Sequence, residues 1–174
     1  DLRGVVYNLV AENGVEKEYA VLKDLYDKTP FQEEKDRIFR ALCLFKNIRL
    51  LEETLKFAFS KDMRAQDRSK GISYVWGNPI GRDLAWDFLQ KNWKSIQRVF
   101  AGGHLYTRFI QSAVYFVDER KAEEIERFFK TNESVGLEWT IAQVTEQIRA
   151  NSLWLSRDKN QISAFLQKFD KMSS

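Results

Sequence analysis

Four polar side chains fall at the spacing of one helical face: Arg108, Gln111, Ser112 and Tyr115. Separations of three, four and seven residues align them on an α-helix, opposite Leu105, Phe109, Ala113 and Phe116. A guanidinium at the head of such a stripe engages a carboxylate or a carbonyl oxygen with directed hydrogen bonds, a role in which lysine is a poorer substitute. The chemistry in view is recognition rather than bond making. An arginine on an amphipathic helix also commonly meets solvent or a structural Asp or Glu, so the stripe carries a plainer reading beside the binding one.

Groups suited to catalysis are scarce. A catalytic zinc site commonly takes three protein ligands and keeps a fourth position open, whereas His104 and Cys43 are the chain's single histidine and single cysteine. Carboxylates add possible ligands, but their spacing gives no specific support. No Gly-rich phosphate loop and no Ser, His and acid constellation stands out. Cys43, among Phe39, Leu42 and Leu44, reads as a small buried side chain, and His104 beside Gly102-Gly103 as a local capping or surface group. Trp86 and Trp93, seven residues apart with Leu89 between them, read as core packing rather than a ligand-stacking surface. Gly81-Arg82-Asp83 reads as a turn and helix start, with Asp83 at the positive helix end. Asp118 to Arg127 reads as a solvated face, and the Asn132-Glu133-Ser134 acceptor triplet is of a kind that arises often by chance.

The elements that must position these groups follow from composition and period. In 174 residues, 44% hydrophobic content with five Trp, six Tyr and thirteen Phe furnishes a sizeable core. Two Pro and eight Gly against abundant Leu, Ala, Glu, Lys and Arg favour helix. Twenty-eight basic and 25 acidic residues leave a formal +3, a small excess that does not demand nucleic acid. A lone cysteine forms no internal disulfide, which fits a reducing compartment and also fits one fragment of a secreted protein. No apolar run approaches the roughly 20 residues that cross a bilayer, so a soluble chain is expected. The chain opens Asp1-Leu2-Arg3-Gly4 without Met and enters an amphipathic segment at once, so a fragment of a longer polypeptide is expected.

The pattern predicts a first helix ending near Asn13-Gly14, with Gly14 as a left-handed cap, and a second over Glu16 to Asp27. A third is expected to start at Thr29-Pro30 and end at Lys46-Asn47, and a fourth to carry Leu51, Leu55, Ala58 and Phe59. The fifth starts near Asp62 or Asp67 and runs to Trp76, closed by Asn78-Pro79. The sixth runs from Arg82 to Phe100 with a bend or break near Asn92, and the seventh from His104 to Val117. An eighth covers Glu119 to Lys130, and two more cover Glu138 to Leu155 and Asp158 to Phe169. About ten helices pairing at a coarse period of roughly 30 to 40 residues predict an all-α, HEAT/armadillo-like α-solenoid of antiparallel pairs, residues 1–174 forming one domain.

The run Gly77-Asn78-Pro79-Ile80-Gly81-Arg82-Asp83-Leu84-Ala85-Trp86-Asp87-Phe88-Leu89-Gln90-Lys91-Asn92-Trp93 closely resembles a segment of the C-terminal domain of M1-family zinc aminopeptidases. Leu2 to Tyr7, Glu33 to Ile38, Gln66-Asp67 and Asn151-Ser152-Leu153-Trp154-Leu155 extend the resemblance, in order, to the puromycin-sensitive and tricorn-interacting members. It implies a helical domain that covers a thermolysin-like catalytic domain and encloses a chamber for peptides. It implies zinc in the parent enzyme, held by His-Glu-x-x-His and a downstream Glu, with Gly-x-Met-Glu-Asn holding the substrate amino terminus. None of these motifs occurs here, so the chain is expected to be non-catalytic and to hold no cofactor itself. Tyr106-Thr107-Arg108-Phe109-Ile110 resembles a place where a basic side chain projects toward the chamber, so Arg108, with Gln111 and Tyr115, is the implied substrate-binding set. The implied partners are peptide substrate and the catalytic domain of the same polypeptide, without nucleic acid or membrane and in the cytoplasm. The alternative is a stand-alone α-solenoid interaction module that binds another protein through a concave face, which the fold alone equally permits.

Overall fold

Apolar stripes at helical spacing, interrupted by short polar breaks, become helices wherever two stripes can cover each other. The computed structural model describes residues 2–103, 105–132 and 134–172. The described residues hold nine α-helices and two 3-10 turns, with no strand. In order these are α1 (Arg3–Asn13), α2 (Glu16–Lys28), α3 (Gln32–Leu42), α4 (Ile48–Ala58), α5 (Arg68–Gly77), α6 (Arg82–Phe100), α7 (Arg108–Gln111), α8 (Glu119–Thr131) and α9 (Glu138–Met172). The 3-10 turns are Ala65–Asp67 and Ser112–Tyr115. The all-α class expected from composition is the class found.

The chain divides into two compact units, Asp1–Ser112 and Ala113–Ser174. In the first, α3 packs against α1 and α2, and α5 packs against α4, α6 and α7. Its core is aromatic: Trp76, Trp86, Trp93, Phe45 and Phe109 are fully buried, and Leu89 lies with them. Burial of a large apolar side chain contributes about 1.5–3 kcal/mol, so this cluster fixes the α5–α6–α7 end of the unit. Trp86 and Trp93 are thus core residues, as their spacing predicts. In the second unit α8 lies along α9, joined by the two-pronged pair of Arg149 with Glu126 at 2.8 and 2.9 Å.

Several boundaries differ from those the sequence suggests. Pro30 sits in the connection, and α3 begins at Gln32; the Thr29 hydroxyl instead accepts from the Phe31 N–H at 3.3 Å. The helix also stops at Leu42 rather than at Lys46-Asn47, with Asn47 opening α4 by accepting from the Arg49 N–H at 2.9 Å. Gly14 is extended, φ −89°, not left-handed; it is needed for room, since a Cβ there would lie 2.5 Å from the Val10 carbonyl oxygen. The α6 helix runs unbroken through Asn92, whose amide bonds back to the Phe88 carbonyl at 2.7 Å. The break expected between Leu155 and Asp158 is absent: no Gly or Pro occurs from 138 to 172, and α9 continues for 35 residues. Ser156 bonds back to the Leu153 carbonyl at 3.0 Å within it.

The most consequential difference lies at His104 to Val117. His104 is outside the described residues, and one long helix is replaced by the four residues of α7 followed by the 3-10 turn Ser112–Tyr115. Thr107, Ile110, Val114 and Val117 are β-branched and five further residues of the stretch are aromatic or His, types that lose rotamer freedom in a helix. The tighter three-per-turn geometry takes Ser112 and Tyr115 out of the register that a continuous α-helix would give them with Arg108.

Candidate functional site

A hollow of about 220 Å³ lies between α5 and α7 in the first unit, lined by Ser69, Lys70, Ser73, Tyr74, Arg108, Gln111 and Ser112. The α5 helix presents Ser69 and Ser73 one turn apart, and the Ser73 hydroxyl donates to the Arg108 carbonyl at 3.4 Å. Phe109 and Ile110, fully buried, anchor α7 and leave Arg108 and Gln111 pointing outward and exposed. Arg108 and Lys70 also line a second hollow with Gln66, Asp67 and Leu105. Of the three side chains singled out by spacing and resemblance, Arg108 and Gln111 therefore share a hollow. Tyr115 belongs to the second unit and is 48% exposed. The α5 residues were not singled out in the sequence; the signal available was a pair of serines one turn apart, Ser69 and Ser73.

The electrostatics of the wall are largely internal. Lys70 places its ammonium 2.8 Å from Asp67 and 3.0 Å from Asp36, and the Arg64 Nε lies 2.7 Å from Asp67. Burial works against the Asp67 charge, but the bonds from Lys70 and Arg64 outweigh it and hold the carboxyl below its ordinary range. Burial likewise opposes the Lys70 charge, and the Asp67 and Asp36 carboxylates overcome it and raise the ammonium's pKa. Arg108 has no such partner among the described residues.

The described residues offer no set of side chains that fits a zinc ion. Among the described residues no three His, Cys, Asp or Glu side chains come together to hold a metal. Cys43 is fully buried and burial pushes its thiol well above the ordinary range, away from the thiolate that a metal ligand must be. No step of any reaction is therefore assigned to a metal in this chain. Among the described residues, no helix is long and apolar enough to cross a membrane.

The profile of the ERAP1-like C-terminal domain family matches residues 1–150. This chain belongs to that family. The ERAP1-like domain is similar to part of "Aminopeptidase M1" of Arabidopsis thaliana, 31% identical over 166 residues, which is 92% of this chain and 18% of the relative. It is 30% identical to "Aminopeptidase N" of Homo sapiens over 91% of this chain and 17% of that protein. To "Aminopeptidase 2, mitochondrial" of Saccharomyces cerevisiae it is 25% identical, over 96% of this chain and 18% of the relative. The chain thus spans about a sixth of the length of these relatives.

Proposed function

We propose that this chain is a non-catalytic C-terminal domain, residues 1–174, of a cytoplasmic zinc metalloaminopeptidase that removes N-terminal amino acids from peptides. Its helix pairs, stacked as a HEAT-like solenoid, form a wall of the substrate chamber, and Arg108, Gln111 and Tyr115 contact the peptide. Zinc belongs to the catalytic domain of the same polypeptide. The observation that carries this reading is family membership over residues 1–150 together with relatives that bear aminopeptidase names along nearly the whole chain. Two uncovered apolar rows support a large intramolecular neighbour: Val5, Val6 and Leu9 on α1, and Trp154, Ile162, Phe165, Leu166 and Phe169 on α9. The lone buried cysteine supports a reducing compartment.

The test is kinetic. In the uncut polypeptide, Arg108→Ala raises peptide KM several-fold and leaves the fold intact, because an interaction made with bound peptide is lost. Unchanged kinetics across peptide lengths would remove Arg108 from the substrate contacts. The purified 174-residue chain supplied with zinc turns over no aminopeptidase substrate; metal-dependent turnover by it would contradict the division of labour.

A further inference from the structure

A cleft of about 300 Å³ opens in the first unit where the α5–α6 turn meets the α3–α4 connection. It is lined by Leu44 and Lys46 of that connection, by residues 77–80, and by Glu12 near the end of α1. Its apolar lining is open to solvent: Leu44 is half-buried, Pro79 is exposed, and Ile80 is 45% exposed. The walls are fixed before any ligand arrives, because the Asn78 amide bonds the Cys43 and Phe45 carbonyls on either side of Leu44. The volume lies at the small end of the roughly 300–1,000 Å³ typical of ligand sites, and fixed walls lower the ordering cost of binding.

Charge narrows the ligand. Glu12 and Lys46 are both exposed, and neither makes a hydrogen bond or an ion pair among the described residues. This sets them apart from charges on the neighbouring helices, where Lys23 meets Asp27, Lys28 meets Asp24 and Lys56 meets Glu52. One free carboxylate and one free ammonium beside an apolar lining match a ligand that carries the opposite pair together with an apolar group. A simple amine would leave Lys46 unmatched, and a simple carboxylic acid would leave Glu12 unmatched. The smallest molecule that meets all three requirements is a free α-amino acid with an apolar side chain.

We propose that this cleft binds a free α-amino acid bearing a large apolar side chain, with Glu12 holding the ammonium, Lys46 the carboxylate, and Leu44, Pro79 and Ile80 receiving the side chain. The cleft shares no residue with the hollow at Arg108, so the inference is independent of the peptide contact placed there.

Methyl NMR on the uncut, metal-depleted polypeptide reads the site directly, with the Ile80 δ1 signal assigned by its loss in Ile80→Val. Metal depletion keeps the amide probe unhydrolysed. L-leucine shifts the signal saturably, with a Kd on the order of 1 mM because both charges are exposed. Leucinamide, which lacks the carboxylate, and N-acetylleucine, which lacks the ammonium, each bind about three-fold or more weakly. Glycine, which lacks the side chain, leaves the signal unmoved. Glu12→Gln removes the preference for leucine over N-acetylleucine and keeps the preference over leucinamide; Lys46→Met does the reverse. Both side chains are exposed and unpaired among the described residues, so neither variant disturbs the fold. An equal response to leucine, leucinamide and N-acetylleucine overturns recognition of the paired charges. Preferences unchanged in both variants overturn the assignment of Glu12 and Lys46. A signal that no probe shifts at about ten-fold the expected Kd overturns the site, whether the cleft lacks affinity or the rest of the polypeptide covers it.

Discussion

Two irregular stretches of the first unit, the turn at Gly77–Gly81 and the α7 segment at Arg108–Ser112, treat their polar groups in opposite ways. In the turn everything is used. Asn78 is 6% exposed, its amide donates to the Cys43 and Phe45 carbonyls at 3.1 and 2.9 Å, and its Oδ1 accepts from the Ile80 N–H at 3.1 Å. Gly81 leaves no space: a Cβ there would lie 2.5 Å from the Val75 carbonyl oxygen and 2.7 Å from Val75 Cγ1. One residue thus ties the end of α3 to the end of α5, and the next glycine lets α6 start against Val75. At α7, by contrast, the guanidinium of Arg108 and the facing Ser69 hydroxyl are left over. The stretch most distinctive as sequence does structural work, and the less distinctive one leaves polar groups without a partner among the described residues.

The contrast breaks first at Asn78. Asn78→Ala strands two buried carbonyls and frees the Ile80 N–H, at about 1–3 kcal/mol for each group left unsatisfied. We expect a loss of about 3–4 kcal/mol, read as a fall in Tm of roughly 2–4 °C per kcal/mol for a chain of this size. The same variant exposes Cys43, so alkylation of its thiol, blocked in the folded protein by full burial, accelerates in parallel. A loss below about 0.5 kcal/mol would mean that the turn is not what joins α3 to α5. Gly81→Ala comes next, at about 1–3 kcal/mol, because backbone and Val75 must shift to admit the methyl group.

The α1–α3 contact extends the comparison to a third region, fully engaged like the turn, with an intermediate effect. The Tyr7 hydroxyl donates to buried Glu34 at 2.6 Å, and Arg37 approaches the other oxygen at 2.8 Å. The Tyr7 bond first, aided by Arg37 and Arg3 and opposed by burial, holds the Glu34 carboxyl below its usual range. A depressed folded pKa stabilises above the unfolded value near 4.3, and that stability is lost as pH falls through it. The same bond, then burial, raises the Tyr7 hydroxyl, so its contribution is complete below about pH 10 and lost as pH rises beyond. Urea midpoints measured against pH therefore fall at both extremes. Glu34→Gln flattens the acid limb, and Tyr7→Phe lowers the plateau by about 1 kcal/mol and weakens both limbs. An acid limb unchanged in Glu34→Gln would assign the pH dependence to other carboxylates.

Legibility in the sequence followed the same division. The all-α class, the α2, α6 and α8 spans and the core placement of Trp86, Leu89 and Trp93 follow from period and propensity, which are local properties. The unbroken α9 was missed because Ser156 and Asp158 resemble a helix boundary, and only the absence of Gly or Pro around them argued otherwise. The single α7 expected over 104–117 failed because its apolar spacing suits a helix while its β-branched and aromatic content does not. Arg108 and Gln111 were legible as a pair. Their facing wall was not, since Ser69 and Arg108 are 39 positions apart and nothing in either local pattern predicts the 3.4 Å bond from Ser73 that brings α5 to α7.

The smallest expected effect is the most discriminating. If Arg108 were one more structural ion pair, its removal would cost stability in proportion to the partner it leaves unpaired, as removing Lys70 would beside Asp36 and Asp67. Because its guanidinium is exposed and has no ion partner among the described residues, Arg108→Ala changes unfolding free energy by no more than about 0.5 kcal/mol. Lys70→Ala, one wall away, costs more, since it leaves the nearly buried Asp67 with Arg64 alone. Paired denaturation curves for the two variants measure the difference directly. Equal losses would place Arg108 among the structural charges and erase the distinction between the turn and the hollow. A loss confined to Lys70 sets Arg108 apart from the charges that hold the fold together.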